Sequence, residues 1–139
     1  MATLKTNTLT GTSTAGSIAV TGEGNSTTTN LQQGLAKVWS NLNGTGTIAT
    51  RDSFNVSGHT DGGTGVYTTS YTSAMSSVNQ SAGGFTRVSG LYGIFGGNAD
   101  ATFTTTSFIY TTLRYATSST GNDASDGLIV TFNLCGDLA

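Results

Sequence analysis

Residues 36–75 read AKVWSNLNGTGTIATRDSFNVSGHTDGGTGVYTTSYTSAM. The stretch holds the chain's single Trp, its single His and two Gly-Thr-Gly turns, each leading into residues that favour strands. Ala36, Val38, Ser40 and Leu42 alternate with Lys37, Trp39 and Asn41, a period of two that predicts a strand from about residue 35. Asn43-Gly44-Thr45-Gly46 is a turn. Thr47 to Val56 is the next strand, with Ile48, Phe54 and Val56 on one face. Asp52 falls on that face as well, which requires either a bulge near Arg51–Ser53 or a cationic partner. Ser57 to Gly65 reads as a polar hairpin loop, and Val66 to Met75 returns with Tyr67, Tyr71 and Met75 sharing a face. Trp39 falls on the polar side of the first strand. It covers the far side of the sheet, lies in a subunit interface, or sits beneath another layer of the same domain.

Outward from this stretch, the chain keeps the same character. Residues 1–34 are poor in large apolar side chains, with two weak β segments at 4–9 and 17–21 and a loop by composition at 22–30. They read as an extended arm that a partner surface would order. Asn30 is a fair cap for a short turn at 31–34. Beyond Met75, the Asn79–Gly84 segment is polar turn material, and Phe85 to Phe95 reads as two short strands or one bulged strand interrupted by Gly90 and Gly93. Gly96 to Asp100 is a turn. Thr102 to Tyr115 is a long strand with Phe108 and Tyr110 on one face and Phe103, Ile109, Leu113 and Tyr115 on the other. After a Ser- and Gly-rich loop, Gly127 to Cys135 is the cleanest strand, with Leu128, Val130, Phe132 and Leu134 pointing one way. The reading is an all-β protein: an antiparallel β-sandwich or jelly-roll-like domain of seven to eight strands over 35–139, with an extended N-terminal arm over 1–34. GTGTIAT (44–50) and GTGVYTT (63–69) echo one another as hairpins, too short for a solenoid repeat.

Composition narrows the function classes. Thr, Ser and Gly supply 64 of 139 residues, and helix formers are scarce. Five basic and seven acidic residues give a net charge of -2, so no basic patch exists to neutralise nucleic-acid phosphates. No apolar run is long enough for a membrane helix, and the opening residues lack a signal peptide's apolar core, so the expectation is a protein that stays in the cytoplasm where it is made. One cysteine allows no disulfide within the chain. A modest core and few charges to guard strand edges favour a symmetric homo-oligomer.

Each candidate for chemistry competes with a plainer role. His59 and Asp61 could orient an imidazole as a base, yet Ser53 and Ser57 lack the elbow and oxyanion-loop context of a nucleophile. The expectation is no enzyme, with His59 an exposed loop residue. Asp123 and Asp126 lie in a Gly/Asn turn of the sort calcium favours, but without the spacing of a calcium loop, so no metal or cofactor is expected. Neither Gly-Thr-Gly segment is followed by the Lys of a phosphate loop. Cys135 reads as a small apolar filler. The Asn-x-Ser/Thr matches at 25, 43 and 55 are chance products of composition. Trp39, Tyr67 and Tyr71 are the candidate contacts with a subunit or a glycan, although a core requires aromatic rings equally.

The same stretch resembles a segment of small virion proteins of tailed bacteriophages, chiefly those infecting cyanobacteria and marine bacteria. Lys37, Trp39, Asn41, Asn43 to Thr47, Arg51 to Ser57, Gly63-Thr64-Gly65, Tyr67 and Ala74-Met75 carry it, with Leu4 to Leu9 similar to the start of such proteins. Val66 stands where the family often has Asp and Ser40 where it has Val. The last sixty residues match only in style. The resemblance implies a non-enzymatic structural protein of the virion, a homotrimeric capsid decoration (cement) or knob-like fibre protein assembled in the host cytoplasm with other virion proteins. The alternative is a glycan-binding β-sandwich at a tail-fibre tip that attaches to host polysaccharide.

Overall fold

A computed structural model describes residues 3–13, 18–22, 24–96, 103–115 and 123–139, with the backbone alone at Leu91 and Tyr92. No helix occurs among them. The chain forms two units, Met1–Leu35 and Ala36–Ala139.

In the first unit, β1 (Ala19–Thr21) and β2 (Thr28–Asn30) make an antiparallel ladder pairing Ala19 with Asn30 and Thr21 with Thr28. Gly22 N–H donates to Thr27 O at 2.9 Å, and Asn25 takes a left-handed φ of 55° in the turn. The last third of the loop expected at 22–30 is therefore strand: Thr's β-branched side chain favours the ladder once the turn closes. Asn30 Oδ1 accepts the N–H groups of Gln32 and Gln33 at 2.8 and 3.3 Å, capping the 31–34 turn. None of the described residues before Lys37 is buried.

The second unit contains β3 (Val38–Asn43), β4 (Ala49–Phe54), β5 (Val56–Gly63), β6 (Val66–Tyr71), β7 (Ser81–Val88), β8 (Leu91–Gly96), β9 (Ser107–Arg114), β10 (Asp123–Ala124) and β11 (Ile129–Cys135). They hydrogen-bond in the order β4-β3-β11-β7-β8-β9-β6-β5, all antiparallel, with β10 added to β9. The start of β8 pairs with β7 and its end pairs with β9, so this strand turns the corner from one layer into the other. Gly93 lies at the corner, where a Cβ would run into Thr86. The outermost strands, β4 and β5, are consecutive in the chain and joined at Asn55.

The two layers close over one core. Val38 and Leu42 of β3 and Val130, Phe132 and Leu134 of β11 meet Tyr67 and Tyr71 of β6 and Phe108 and Tyr110 of β9. The Phe132 ring centroid lies 5.0 Å from that of Tyr110, and Phe103 stacks on Phe108 at 4.6 Å. A tight turn held by Thr104, whose Oγ1 accepts the N–H of Ser107 at 2.8 Å, brings Phe103 to the core side. The alternation read in β3, β6, β9 and β11 is the observed burial pattern.

Among the described residues nine strands build this unit, because residues read as loop are paired as well. Ser57–Gly63 belongs to β5 and Ser81–Gly84 to β7. Both segments are rich in Gly and lack apolar alternation; ladder hydrogen bonds to neighbours hold them. The bulge expected near Arg51–Ser53 is at Arg51: Asn41 pairs with Asp52 and Leu42 with Thr50. The extra residue turns Asp52 outward, where its Oδ1 accepts Ser53 N–H at 2.8 Å.

Candidate functional site

Three clusters concentrate the polar and aromatic side chains of the sandwich. The first surrounds His59. This residue is on β5, partly buried, and not in an exposed loop. Its Nε2 lies 3.0 Å from Ser40 Oγ on β3, and its Nδ1 lies 2.9 Å from Thr69 Oγ1 on β6. Hydroxyls donate and accept, so either neutral tautomer is satisfied. Burial lowers the imidazole pKa below its ordinary value. Asp61 turns away and accepts Gly63 N–H at 2.8 Å, so the sequence neighbours do not form an imidazole–carboxylate pair. Ser40 is buried, which keeps its hydroxyl from an incoming substrate. The cluster joins β3 to β5, which are not ladder neighbours in the strand order.

The second surrounds the Tyr67 phenol, which is fully buried. Its hydroxyl oxygen lies 3.2 Å from both Gly44 O and Asp126 Oδ1, and accepts Gly127 N–H at 3.3 Å. Asp126 Oδ1 also accepts Gly65 N–H at 2.8 Å, and Gly44 N–H donates to Gly127 O at 2.8 Å. The turns at 43–46 and 63–65 and the 125–127 segment thus converge on the Tyr67–Asp126 pair. Burial first, then the Asp126 carboxylate, pushes the Tyr67 pKa up to about 12. Asp126 is oriented by these donors, while Asp123 pairs with Arg114 at 2.7 Å on the surface. The two carboxylates singled out in the sequence serve separate contacts. Among the described residues no group of three or more His, Cys, Asp or Glu side chains is placed to hold a metal.

Tyr71 is buried as well, its hydroxyl donating to Gln80 Oε1 at 2.9 Å. The expectation that Tyr67 and Tyr71 present rings to a subunit or glycan is therefore corrected. They lie on the inward phase of β6, and Tyr67 faces the interlayer ring cluster, with its centroid 5.7 Å from that of Tyr110.

The third cluster is on the outer surface of the β4-β3-β11-β7 layer. Trp39 is 37% exposed, so no further layer of the described domain covers it. Opposite it on β4 is Phe54, 51% exposed, and two strands away on β7 is Phe85, 58% exposed. Between Trp39 and Phe85 runs an open groove of about 570 Å3. Asn41, Thr131, Asn133 and Gly83 line it from the outward positions of β3, β11 and β7. Gly83 leaves the β7 side low, and a Cβ there would meet only Asn133 Oδ1, at 3.4 Å. Gly84 faces inward, where the Phe95 ring occupies the space of a Cβ. Of this cluster only Trp39 stands out in the sequence as a candidate contact. Phe85 carried a similar signal, an aromatic out of phase with inward-facing Thr86 and Val88.

Cys135 ends β11 as a free, partly buried thiol. Comparison with protein-family models, curated protein sequences and solved structures gives no match.

Proposed function

We propose that this chain is a non-enzymatic structural protein of a bacteriophage particle, a homotrimeric capsid decoration or knob-like fibre protein whose residues 1–34 anchor it to a neighbour. The observation that carries the reading is the character of the first unit. None of its described residues is buried, and Leu4, Leu9, Val20 and Leu35 are 78, 53, 48 and 53% exposed. A segment with a two-stranded ladder and no core of its own gains burial from a partner. The residues behind the resemblance support the same reading, because most are used to build the sandwich. Gly44, Gly65 and Tyr67 form the buried node, Arg51 fills the bulge, and Asn55 makes the corner between β4 and β5. Both hydroxyls that His59 touches, on Ser40 and Thr69, belong to buried residues.

Light scattering on the full chain at micromolar concentration should give the mass of a trimer. Leu4→Asp with Leu9→Asp in the full chain should reduce that mass, or abolish incorporation into particles, while thermal unfolding of the sandwich stays unchanged. A monomer at every concentration, with incorporation indifferent to the double substitution, would overturn the reading. Locating the chain in a reconstruction of the assembled particle distinguishes capsid from fibre.

A further inference from the structure

We infer that the groove between Trp39 and Phe85 is a binding site for a neutral saccharide. The inference is independent of the anchoring role of residues 1–34. The lining residues decide the ligand class. Trp39 and Phe85 stand as two partly exposed aromatic walls, and Phe54 extends the Trp39 side. Aromatic faces are electron-rich and attract the C–H groups on the apolar face of a sugar ring. The floor between them offers Asn41, Asn133 and Thr131, which can both donate to and accept from sugar hydroxyls. Arg51 Nη1 donates to Asn41 Oδ1 at 3.3 Å, which orients that amide and leaves its NH2 group as a remaining donor.

No charged side chain lines the groove, which disfavours phosphates, nucleotides, uronic acids and sialic acids. A floor of amides and a hydroxyl is also a poor match for a lipid tail or a dry protein patch, since covering it with apolar groups would leave buried polar atoms unpaired. The dimensions suit a sugar. Trp39 lies across β11 from Gly83, and Phe85 lies across it from Asn41, so the two walls stand diagonally, roughly 12 Å apart from two strand spacings and a two-residue offset. The volume lies in the range of small-ligand sites, ~300–1,000 Å3. Gly83 is what keeps the trough open: any larger residue at this outward position would project into it.

Trp39 is the chain's sole Trp, so its emission reports on this wall alone. The full chain is titrated with hexasaccharides of glucose (α-1,4 and β-1,4), mannose and galactose, with oligogalacturonate and sialyllactose as charged controls. The expected result is a saturable change in Trp39 emission with at least one neutral hexasaccharide and none with the charged sugars. Calorimetry on Gly83→Leu, which fills the trough, and on Phe85→Ala, which removes a wall, should show binding weakened roughly tenfold or more. Unfolding of both variants in urea should match the parent chain. No saturable response to any neutral hexasaccharide at millimolar concentration would overturn the inference. So would equal binding by both variants, or a response confined to charged sugars. Emission that changes with protein concentration and with no sugar would assign this face to contact between copies and also overturn it.

Discussion

Gly44 and Gly46 stand two residues apart in one turn, and the fold asks different things of them. At Gly44 a Cβ would land on the Tyr67 hydroxyl. Gly44→Ala should therefore cost about 2–3 kcal/mol by overpacking a buried hydrogen-bonded node. At Gly46, with φ of 64° and open space around it, alanine meets only backbone strain and should cost about 1 kcal/mol. Urea unfolding of the two variants checks the order. Tyr67→Phe keeps the ring but leaves Gly127 N–H without the phenol oxygen and Asp126 without the phenol donor. A loss of about 1–3 kcal/mol is expected by the same measurement. This residue-level logic explains why the Gly-Thr-Gly signature was visible in the sequence while its purpose was not. Turn chemistry is local and readable, whereas the contact of Gly44 with Tyr67 joins positions 23 residues apart.

At the scale of elements, legibility followed the core. β11 and β3 each present a full face to the interior, and their alternation announced them. β5 has two irregularities in its pairing with β6 and mostly polar side chains, so no period of two was available to read. The bulge at Arg51 was legible because Asp52 otherwise conflicted with burial. The groove was legible only in part, through Trp39, because Phe85 and Asn133 become neighbours of that wall only once β11 separates β3 from β7. Arg51 donates to Leu42 O and Leu128 O, each at 2.7 Å, fastening β3 to the entry of β11. Arg51→Ala should lower stability by about 1–2 kcal/mol and speed amide exchange at neighbouring ladder positions. The corner residue Asn55, at φ 57°, donates to Lys37 O and Ser73 O, both at 3.1 Å, and accepts Ser73 N–H at 2.6 Å. Asn55→Gly keeps the backbone permissive and loses only those contacts; Asn55→Ala loses both, so its denaturation midpoint should be lower.

For the whole molecule, pH probes both ends of the stability range. Burial holds the His59 pKa below 6.5, so the unfolded chain binds a proton more readily than the folded one. That contribution is fully present above pH 6.5 and is lost as pH falls below it toward the folded value. His59→Gln should flatten this slope in urea midpoints measured across the window. On the alkaline side, Tyr67 is raised from 10.0 to about 12, and burial raises Tyr71 and Tyr110 as well. Phenols in the unfolded chain ionise first, so stability should fall progressively as pH rises through 10 toward 12, by the same linkage. Absorbance of ionised tyrosine followed alongside unfolding checks that the two changes coincide.

The placement of β11 between β3 and β7 has a consequence for synthesis. Both flanking strands leave the ribosome before it does, and neither has its final neighbour until residues 129–135 emerge. Contacts this distant along the chain make the layer slow to form, and the core around Val38 and Leu42 lacks Val130, Phe132 and Leu134 until β11 is made. A chain interrupted before Ile129 should therefore remain protease-sensitive. Synthesis of residues 129–135 thus acts as a commitment point, since the layer can lock only in molecules whose translation has passed it.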